Sequence, residues 1–193
     1  MQVAPITLQG RAIRLEPLTL DHAPELWRQA DPAIFAYIPH PVDDSLPAFE
    51  TYIAGLVRAP DYQPFAQVHQ ETGRPIGVTC YMDIRPAHRG LEIGSTWIAR
   101  PYQGTRVNPE SKYLLLRHAF EELGTVRVQL KTDGRNRHSQ AAIARLGAQR
   151  EGVLRKHLIL QDGYIRDTVM FSILAEEWPA VKAGLEARLG YAP

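Results

Sequence analysis

Hydrophobic and polar residues alternate along this chain with two different periods, and the change of period predicts where its strands and helices lie. Leu91, Ile93 and Trp97 alternate with polar or small neighbours, a period of two that predicts a strand with these side chains on one apolar face. Further on, apolar residues recur over a wide helical surface. Asn108 is placed to cap the start of this helix and Gly124 to end it.

The same reasoning divides the whole chain into seven strands and five helices. The predicted elements are a strand at 6–18 bent at Gly10, a short helix after 19–21, a helix from Ser45, a hairpin of strands 65–69 and 76–84, the strand at 91–98, the helix at 108–124, a strand at 125–131, a helix from Asn136 to Gly147, a hairpin of strands 153–160 and 165–173, and a last helix at 178–189. The helix between strands 91–98 and 125–131 predicts a parallel crossover. We therefore expect an α/β (α+β) fold with a mixed, mostly antiparallel sheet of about seven strands, a central parallel pair and flanking helices.

Composition narrows the classes of function. The 193 residues carry 22 basic and 21 acidic side chains, so the formal charge of +1 gives no field that attracts nucleic acid or an anionic membrane. The lone Cys80 excludes a disulfide within the chain, and together with the lack of a leader or a membrane-length apolar run it predicts a cytoplasmic protein. No linker or repeat is visible, so we expect one domain over 1–193. Histidine and cysteine spacing predicts no metal site.

The loop before the long helix has the features of an anion site. The first N–H groups of a helix have no partner, and the helix dipole favours negative charge there. Arg106 adds a positive charge in the same loop. The pattern is equally typical of an ordinary strand–loop–helix connection, and the residues of this segment leave both interpretations open.

Several segments, in this order, resemble the GNAT N-acetyltransferases, in particular the branch similar to ribosomal-protein N-terminal acetyltransferases. They are "ITLQGRAIRLEPLTLDH", "LEIGSTWI", "PYQGTRVNPESKYLLLRHAFE", "NRHSQAAIARLGAQREGVLRKH" and "DGYIRDTVMFSIL". The resemblance implies a domain in which acetyl-CoA is the donor and a primary amine, on a protein N-terminus or a small molecule, is the acceptor. It also implies that the two parallel strands splay apart to admit the cofactor. A homodimer and another acyl donor stay open.

The resemblance also implies a set of cofactor-binding residues. Backbone groups of the central strand would bind the pantetheine arm, the loop would wrap the pyrophosphate, and an Asn-x-x-Ser element would lie near the thiol. These residues are Thr96, Trp97 and Ile98, then Gln103, Gly104, Thr105, Arg106, Val107 and Asn108, then Asn136 and Ser139. The loop departs from the family pattern, because Arg106 stands where a glycine is usual and Asn108 where a small residue is usual. We expect Arg106 to compensate by pairing with a phosphate.

Acetyl transfer needs a neutral amine and a proton for the leaving thiolate. Glu92 matches the base glutamate of some family members and is the expected general base; pairing with a nearby arginine is the alternative. Family members often carry an acid tyrosine near the position of Ile143, but none is present here, so Ser139 is the candidate acid or else only supports its helix.

Two residues are expected to shape the acceptor site. Tyr37 lies in the aromatic loop at 31–44, which forms either a substrate wall or a cover for the core, and Asp167 either binds the acceptor or pairs with Arg166 or Arg155. The missing tyrosine and altered loop keep a second function open, a non-catalytic GNAT-like module that binds CoA or a metabolite.

Overall fold

A computed structural model describes residues 1–38, 44–160 and 162–191, which build one eight-stranded sheet with helices on both faces. The strands are β1 (Leu8–Gln9), β2 (Ile13–Pro17), β3 (Gln63–His69), β4 (Pro75–Arg85), β5 (Gly90–Ile98), β6 (Arg127–Asp133), β7 (Gln149–Ile159) and β8 (Ile165–Leu174). The helices are α1 (Ala23–Gln29), α2 (Leu46–Arg58), α3 (Val107–Arg117), α4 (Arg137–Ala144) and α5 (Trp178–Leu189). No helix of the described residues is long and apolar enough to cross a membrane.

The sheet has the order β1-β2-β3-β4-β5-β6-β8-β7, and its neighbours are antiparallel except for one pair. Strands β5 and β6, joined by the crossover through α3, run parallel. This confirms the mostly antiparallel sheet with a central parallel pair. Ser45 accepts a hydrogen bond from the N–H of Ala48 at the start of α2, and Asn136 caps α4, both as predicted.

The opening segment forms two strands, so the prediction of one bent strand at 6–18 is wrong. The chain reverses after Gly10, whose N–H donates to the carbonyl of Ile13 over 2.9 Å, and β1 then pairs antiparallel with β2. A two-residue strand before a tight turn keeps the same alternation as a bent strand. The alternation therefore cannot distinguish one bent strand from two strands. With β1 and β2 counted separately, the sheet has eight strands.

Helix α3 begins earlier than predicted, because the hydroxyl of Thr105 accepts the N–H of Val107 over 3.3 Å. Asn108 is thus inside the helix and is not its cap. At the other end, His118–Glu122 form a wider turn that closes with the N–H of Leu123 on the carbonyl of His118. Gly124 follows with a φ of +64°, in the left-handed conformation expected of a residue that ends a helix.

Two apolar cores lie on opposite faces of the sheet. Helices α3, α4 and α5 cover the larger core, and α1 and α2 cover the smaller one. Leu91 and Ile93 belong to the larger core, whereas Trp97 belongs to the smaller one. The predicted single apolar face of this strand is therefore wrong beyond Ile93.

A bulge in β5 causes this change of face. The two-residue step from Val78 to Cys80 on β4 lies opposite a three-residue step on β5, from Trp97 back to Gly94. Ser95 lies within the bulge with a φ of +46°. Since one inserted residue shifts the alternation, every side chain after the bulge points to the other face.

Candidate active site

Strands β5 and β6 pair over three residues and then separate. The last bonded pair is Glu92 and Gln129, although β5 continues to Ile98 and β6 to Asp133. The separation leaves a fork in the middle of the sheet. Glu92 stands at the apex of this fork, just before the bulge.

The carboxylate of Glu92 is held on one side only. Its Oε2 lies 2.9 Å from Lys131 Nζ and accepts a hydrogen bond from Gln129 Nε2 over 3.0 Å. Gln129 Nε2 also donates to Asp83 Oδ2 over 2.9 Å, so one amide bridges two carboxylates. The side chain is only 1% exposed. Glu92 therefore does pair with a cation, and that cation is a lysine on β6.

The second oxygen of Glu92 lies over Gly94 without a protein donor in the described part of the chain. A Cβ added at Gly94 would stand 2.8 Å from Glu92 Oε1 and 2.6 Å from Met82 Sδ. The missing side chain thus makes room for this oxygen, which is placed to accept a proton inside the fork.

Thr96 does not share a face with Glu92, because the bulge lies between them. Its hydroxyl is 2.8 Å from Thr79 Oγ1 and accepts a hydrogen bond from Lys112 Nζ over 2.6 Å. The backbone carbonyls of the next two residues accept hydrogen bonds from glutamine side chains. Trp97 O accepts from Gln67 Nε2 over 3.0 Å and Ile98 O from Gln103 Nε2 over 2.8 Å. Each carbonyl keeps a second lone pair.

The loop before α3 is shaped by its own side chains. Thr105 Oγ1 donates to the carbonyl of Tyr102 over 2.7 Å, and the guanidinium of Arg106 donates to the carbonyl of Leu189 in α5. Gly104 has a φ of +74°, which a residue with a Cβ rarely adopts. The N–H groups of Thr105, Arg106 and Asn108 have no acceptor in the described residues. This is the arrangement that a helix start needs to bind an anion.

The Asn-x-x-Ser element opens α4 next to the end of β6. The side-chain oxygen of Asn136 accepts the N–H of Ser139 over 2.9 Å, so the two residues form the first turn of the helix. Both are partly exposed. The cap explains the local role of Asn136, and the hydroxyl of Ser139 is left to face solvent or a ligand.

The two predicted acceptor-site residues lie in different surroundings. Tyr37 is 37% exposed and its ring lies 5.7 Å from the guanidinium of Arg135. Asp167 Oδ1 accepts the N–H of Lys156 over 2.7 Å and fixes the bulge in β7. Asp167 thus pairs with neither arginine that the sequence suggested. Residues 39–43 of the aromatic loop lie outside the described part of the chain.

Three ionic side chains near the fork have surroundings that the sequence did not reveal. Lys131 is the partner of Glu92, Lys112 lies buried below the bulge, and Arg166 lies buried on β8. The strand pairing would have placed Lys131, since it lies two residues after Gln129 and so on the same face. No local signal distinguishes Lys112 within its apolar helix surface.

Residues 12–149 match the family described as acetyltransferase (GNAT) domain. The chain belongs to the GNAT acetyltransferase family. This confirms the resemblance found in the sequence. The family uses acetyl-CoA, which agrees with an anion site at the start of α3 and a fork beside it.

Relatives of known structure share the whole fold. A crystal structure described as that of a putative acetyltransferase from T. thermophilus is 44% identical, covers 98% of this chain and 100% of its own, and superposes with a TM-score of 0.92. A GCN5-related N-acetyltransferase from Brucella melitensis is 29% identical and superposes with a TM-score of 0.93 over 99% of this chain and 87% of its own.

A sequence relative agrees with the branch named above. The Bacillus subtilis (strain 168) protein named "Putative ribosomal N-acetyltransferase YdaF" is 32% identical over 110 residues. The match covers 57% of this chain and 59% of that protein's length. Mycobacterium smegmatis RimJ, solved in complex with CoA-disulfide, shares the fold at 23% identity, with a TM-score of 0.80 over 96% of this chain and 95% of its own.

Proposed function

We propose that this protein transfers the acetyl group of acetyl-CoA to a primary amine by direct attack in a ternary complex. The observation that carries the proposal is the fork between β5 and β6, with the buried carboxylate of Glu92 at its apex. Only one oxygen of this carboxylate has partners among the described residues. The acceptor is a protein N-terminus or a small-molecule amine. The similarity to a protein named as a ribosomal N-acetyltransferase supports the first of these.

The cofactor would extend from the N-terminus of α3 to the N-terminus of α4. The unpartnered N–H groups of Thr105, Arg106 and Asn108 would bind the pyrophosphate, and the pantetheine arm would enter the fork beside Thr96–Ile98. Arg106 is already bonded to α5, so it would reach a phosphate with its remaining N–H groups. Asn136 and Ser139 would lie near the thiol.

Glu92 would act as the general base. Lys131 and Gln129 fix Oε2, which leaves Oε1 to take a proton from the amine as its nitrogen attacks the thioester carbonyl carbon. The C–N bond forms, the C–S bond breaks, and the thiolate of CoA takes a proton. We assign that last proton to Ser139 or to water held by it.

Replacement of Glu92 by glutamine tests this role. The amide keeps the shape of the side chain but cannot take the proton, so we expect kcat to fall by ~100-fold or more. Steady-state rates with a panel of amines and N-terminal peptides, across neutral and mildly alkaline pH, give the measurement. Glu176→Gln, at an exposed glutamate, is the matched control.

Binding of the cofactor is measured separately on the same variants. Acetyl-CoA at about 100 times its dissociation constant stabilises a protein by ~2.7 kcal/mol, and we expect this stabilisation in the wild type and in Glu92→Gln alike. An unchanged rate in Glu92→Gln would exclude Glu92 as the base. Stabilisation by acetyl-CoA without turnover on any amine would instead favour the non-catalytic module.

A further inference from the structure

Arg166 in β8 is a buried cation without a partner in the described part of the chain. The residue is 3% exposed, and its Nε is buried with no hydrogen-bond acceptor. Two carboxylates act on it electrostatically, those of Asp133 and Glu92, but neither lies within ion-pair distance. Burial lowers the pKa of Arg166, and these two carboxylates only partly oppose that effect.

Both neighbouring carboxylates already have cations of their own. Asp133 pairs with Arg135, whose guanidinium lies 2.9 Å from Oδ2 and whose N–H donates to Oδ1 over 2.8 Å. Glu92 pairs with Lys131. The group of side chains therefore contains one positive charge more than it can neutralise, and that charge is on Arg166.

An uncompensated buried charge destabilises a folded protein. A leucine or methionine at this position would fill the same space at lower cost. The arrangement is therefore better explained by a ligand that brings a negative charge than by folding alone.

Arg166 shares a sheet face with the proposed base. Thr168 lies opposite Asp133 and Met170 opposite Lys131, so Arg166, two residues before Thr168, points to the same side as these β6 side chains. The side chains on this part of the face belong to neither apolar core. The residue that holds Glu92, Lys131, is part of it.

An aromatic–arginine stack borders this group of charges. The guanidinium of Arg135 lies 3.4 Å from the ring centre of Tyr164 and 5.7 Å from that of Tyr37. Tyr37 comes from the loop after α1 and Tyr164 from the β7–β8 turn. The stack thus joins three segments around the end of β6 and fixes Arg135, which leaves Arg166 as the cation available to a ligand.

We propose that the guanidinium of Arg166 binds a carboxylate of the acceptor and so directs the acceptor's amine to Glu92. The inference rests on the proposed acetyl transfer and names its substrate class, a molecule with a primary amine and a nearby carboxylate. A guanidinium matches a carboxylate with two parallel hydrogen bonds. The carboxylate comes from a free amino acid or from an acidic side chain at a peptide N-terminus.

Acceptor pairs that carry or lack this carboxylate test the proposal. We would compare kcat and KM for free amino acids against their amides, and for peptides that begin with aspartate against peptides that begin with asparagine. We expect the acidic member of one pair to have a KM lower by about 10-fold or more in the wild type, the effect of one charge-assisted pair. Which pair shows the preference identifies the source of the carboxylate. A wild type with equal constants for both members of each pair overturns the proposal.

Arg166→Met should remove the preference, so that the two members of a pair have equal KM values. Arg155→Met, at an exposed arginine of β7, is the control and should keep the preference. Because the variant loses an unpartnered buried charge, we expect it to unfold at the same temperature as the wild type or higher. A less stable Arg166→Met that loses activity on neutral and acidic acceptors alike would show a structural role instead.

A binding measurement separates this inference from the proposed reaction. The CoA-loaded protein is titrated with an amino acid and with its amide in a calorimeter, and the titration is repeated with aspartyl and asparaginyl peptides. Tighter binding of an acidic member, lost in Arg166→Met, supports the carboxylate site even if no amine is acetylated. Equal binding within both pairs overturns it even if acetylation is found.

Discussion

Lys112 on α3 is a lysine that the fold buries with hydroxyl partners only, among the residues that the structure describes. Its Nζ donates to Thr96 Oγ1 over 2.6 Å and to Thr79 Oγ1 over 3.2 Å, directly under the bulge of β5. No carboxylate of the described residues pairs with it. Burial lowers the pKa of Lys112 to about 7, and the nearby Cys80, whose own pKa burial raises to about 12, opposes this only weakly.

The lowered pKa predicts how Lys112→Met changes the free energy of unfolding with pH. Below about pH 7 Lys112 is protonated in the folded and unfolded protein alike. Between about pH 7 and the ordinary lysine pKa of 10.5 only the unfolded chain holds the proton, so the wild type gains stability as pH rises. The gain has a slope of up to ~1.4 kcal/mol per pH unit.

Urea unfolding of the wild type and of Lys112→Met, from mildly acidic to alkaline pH, measures this difference. We expect the stability of the methionine variant relative to the wild type to be greatest below about pH 7 and to shrink as pH rises. A difference that stays constant over the whole range would show that Lys112 keeps its proton in the folded protein.

At the residue scale, a local sequence pattern identifies single residues. It does not identify the partners that they contact from distant parts of the chain. Asn136 was found because a cap pattern marks it, and Glu92 because the resemblance to the family marks its position on a predicted strand. The partner of Glu92, the burial of Lys112 and the missing partner of Arg166 among the described residues depend on strands that are far apart in the chain. No spacing within one segment encodes them.

At the scale of elements, the bulge in β5 decides the geometry of the fork. It turns Trp97 into the smaller core and Thr96 toward α3, while Glu92 keeps its place before the bulge. The parallel pair followed from the alternation and the crossover rule. The bulge did not, because Ser95 has its positive φ at a position where no glycine or asparagine marks it in the sequence.

Gly94→Ala tests whether the space beside the bulge serves Glu92 as the proposed base. The new Cβ would stand 2.8 Å from Glu92 Oε1 and 2.6 Å from Met82 Sδ, so both side chains must move. Since Lys131 and Gln129 restrain the carboxylate, we expect kcat to fall ~10- to 100-fold and the stability by ~1–3 kcal/mol. Rates and urea unfolding measured on one preparation give both values.

The matched control for this change is Gly152→Ala in β7. A Cβ at Gly152 meets no atom within 4 Å, and the glycine does not have a positive φ. This variant should keep the wild-type rate. A Gly94→Ala enzyme with full activity would mean that Oε1 does not need its present position.

At the scale of the whole molecule, Glu110 joins both ends of the chain to α3, the helix that follows the proposed cofactor-binding loop. It lies fully buried in the first turn of α3. Its Oε2 accepts the N–H groups of Ala12 and Ile13 over 2.7 and 2.8 Å, and its Oε1 accepts the N–H of Arg11 over 3.1 Å. The hydroxyl of Tyr191, after α5, also donates to Oε1.

Glu110→Gln should therefore loosen the whole fold. A carboxylate accepts all four hydrogen bonds as a charged acceptor, whereas an amide presents an NH2 group to the donors on one side and offers only a neutral oxygen to those on the other. We expect a loss of ~3 kcal/mol, about 10 °C in the unfolding midpoint of a chain of this size. Thermal unfolding of the variant beside the wild type gives the measurement.

Two further variants separate the two ends that Glu110 holds. Tyr191→Phe removes the hydroxyl that donates to Glu110 Oε1 and accepts the N–H of Arg11 over 3.3 Å, and should cost about 1 kcal/mol. Glu176→Gln, at an exposed glutamate, should cost almost nothing. If thermal unfolding gave equal midpoints for Glu110→Gln and Glu176→Gln, the hydrogen bonds of Glu110 would not contribute to the stability of the fold. A loss in Glu110→Gln equal to that in Tyr191→Phe would confine its effect to the C-terminal segment. The expected order instead means that Glu110 stabilises the β1–β2 turn as well as the C-terminal segment.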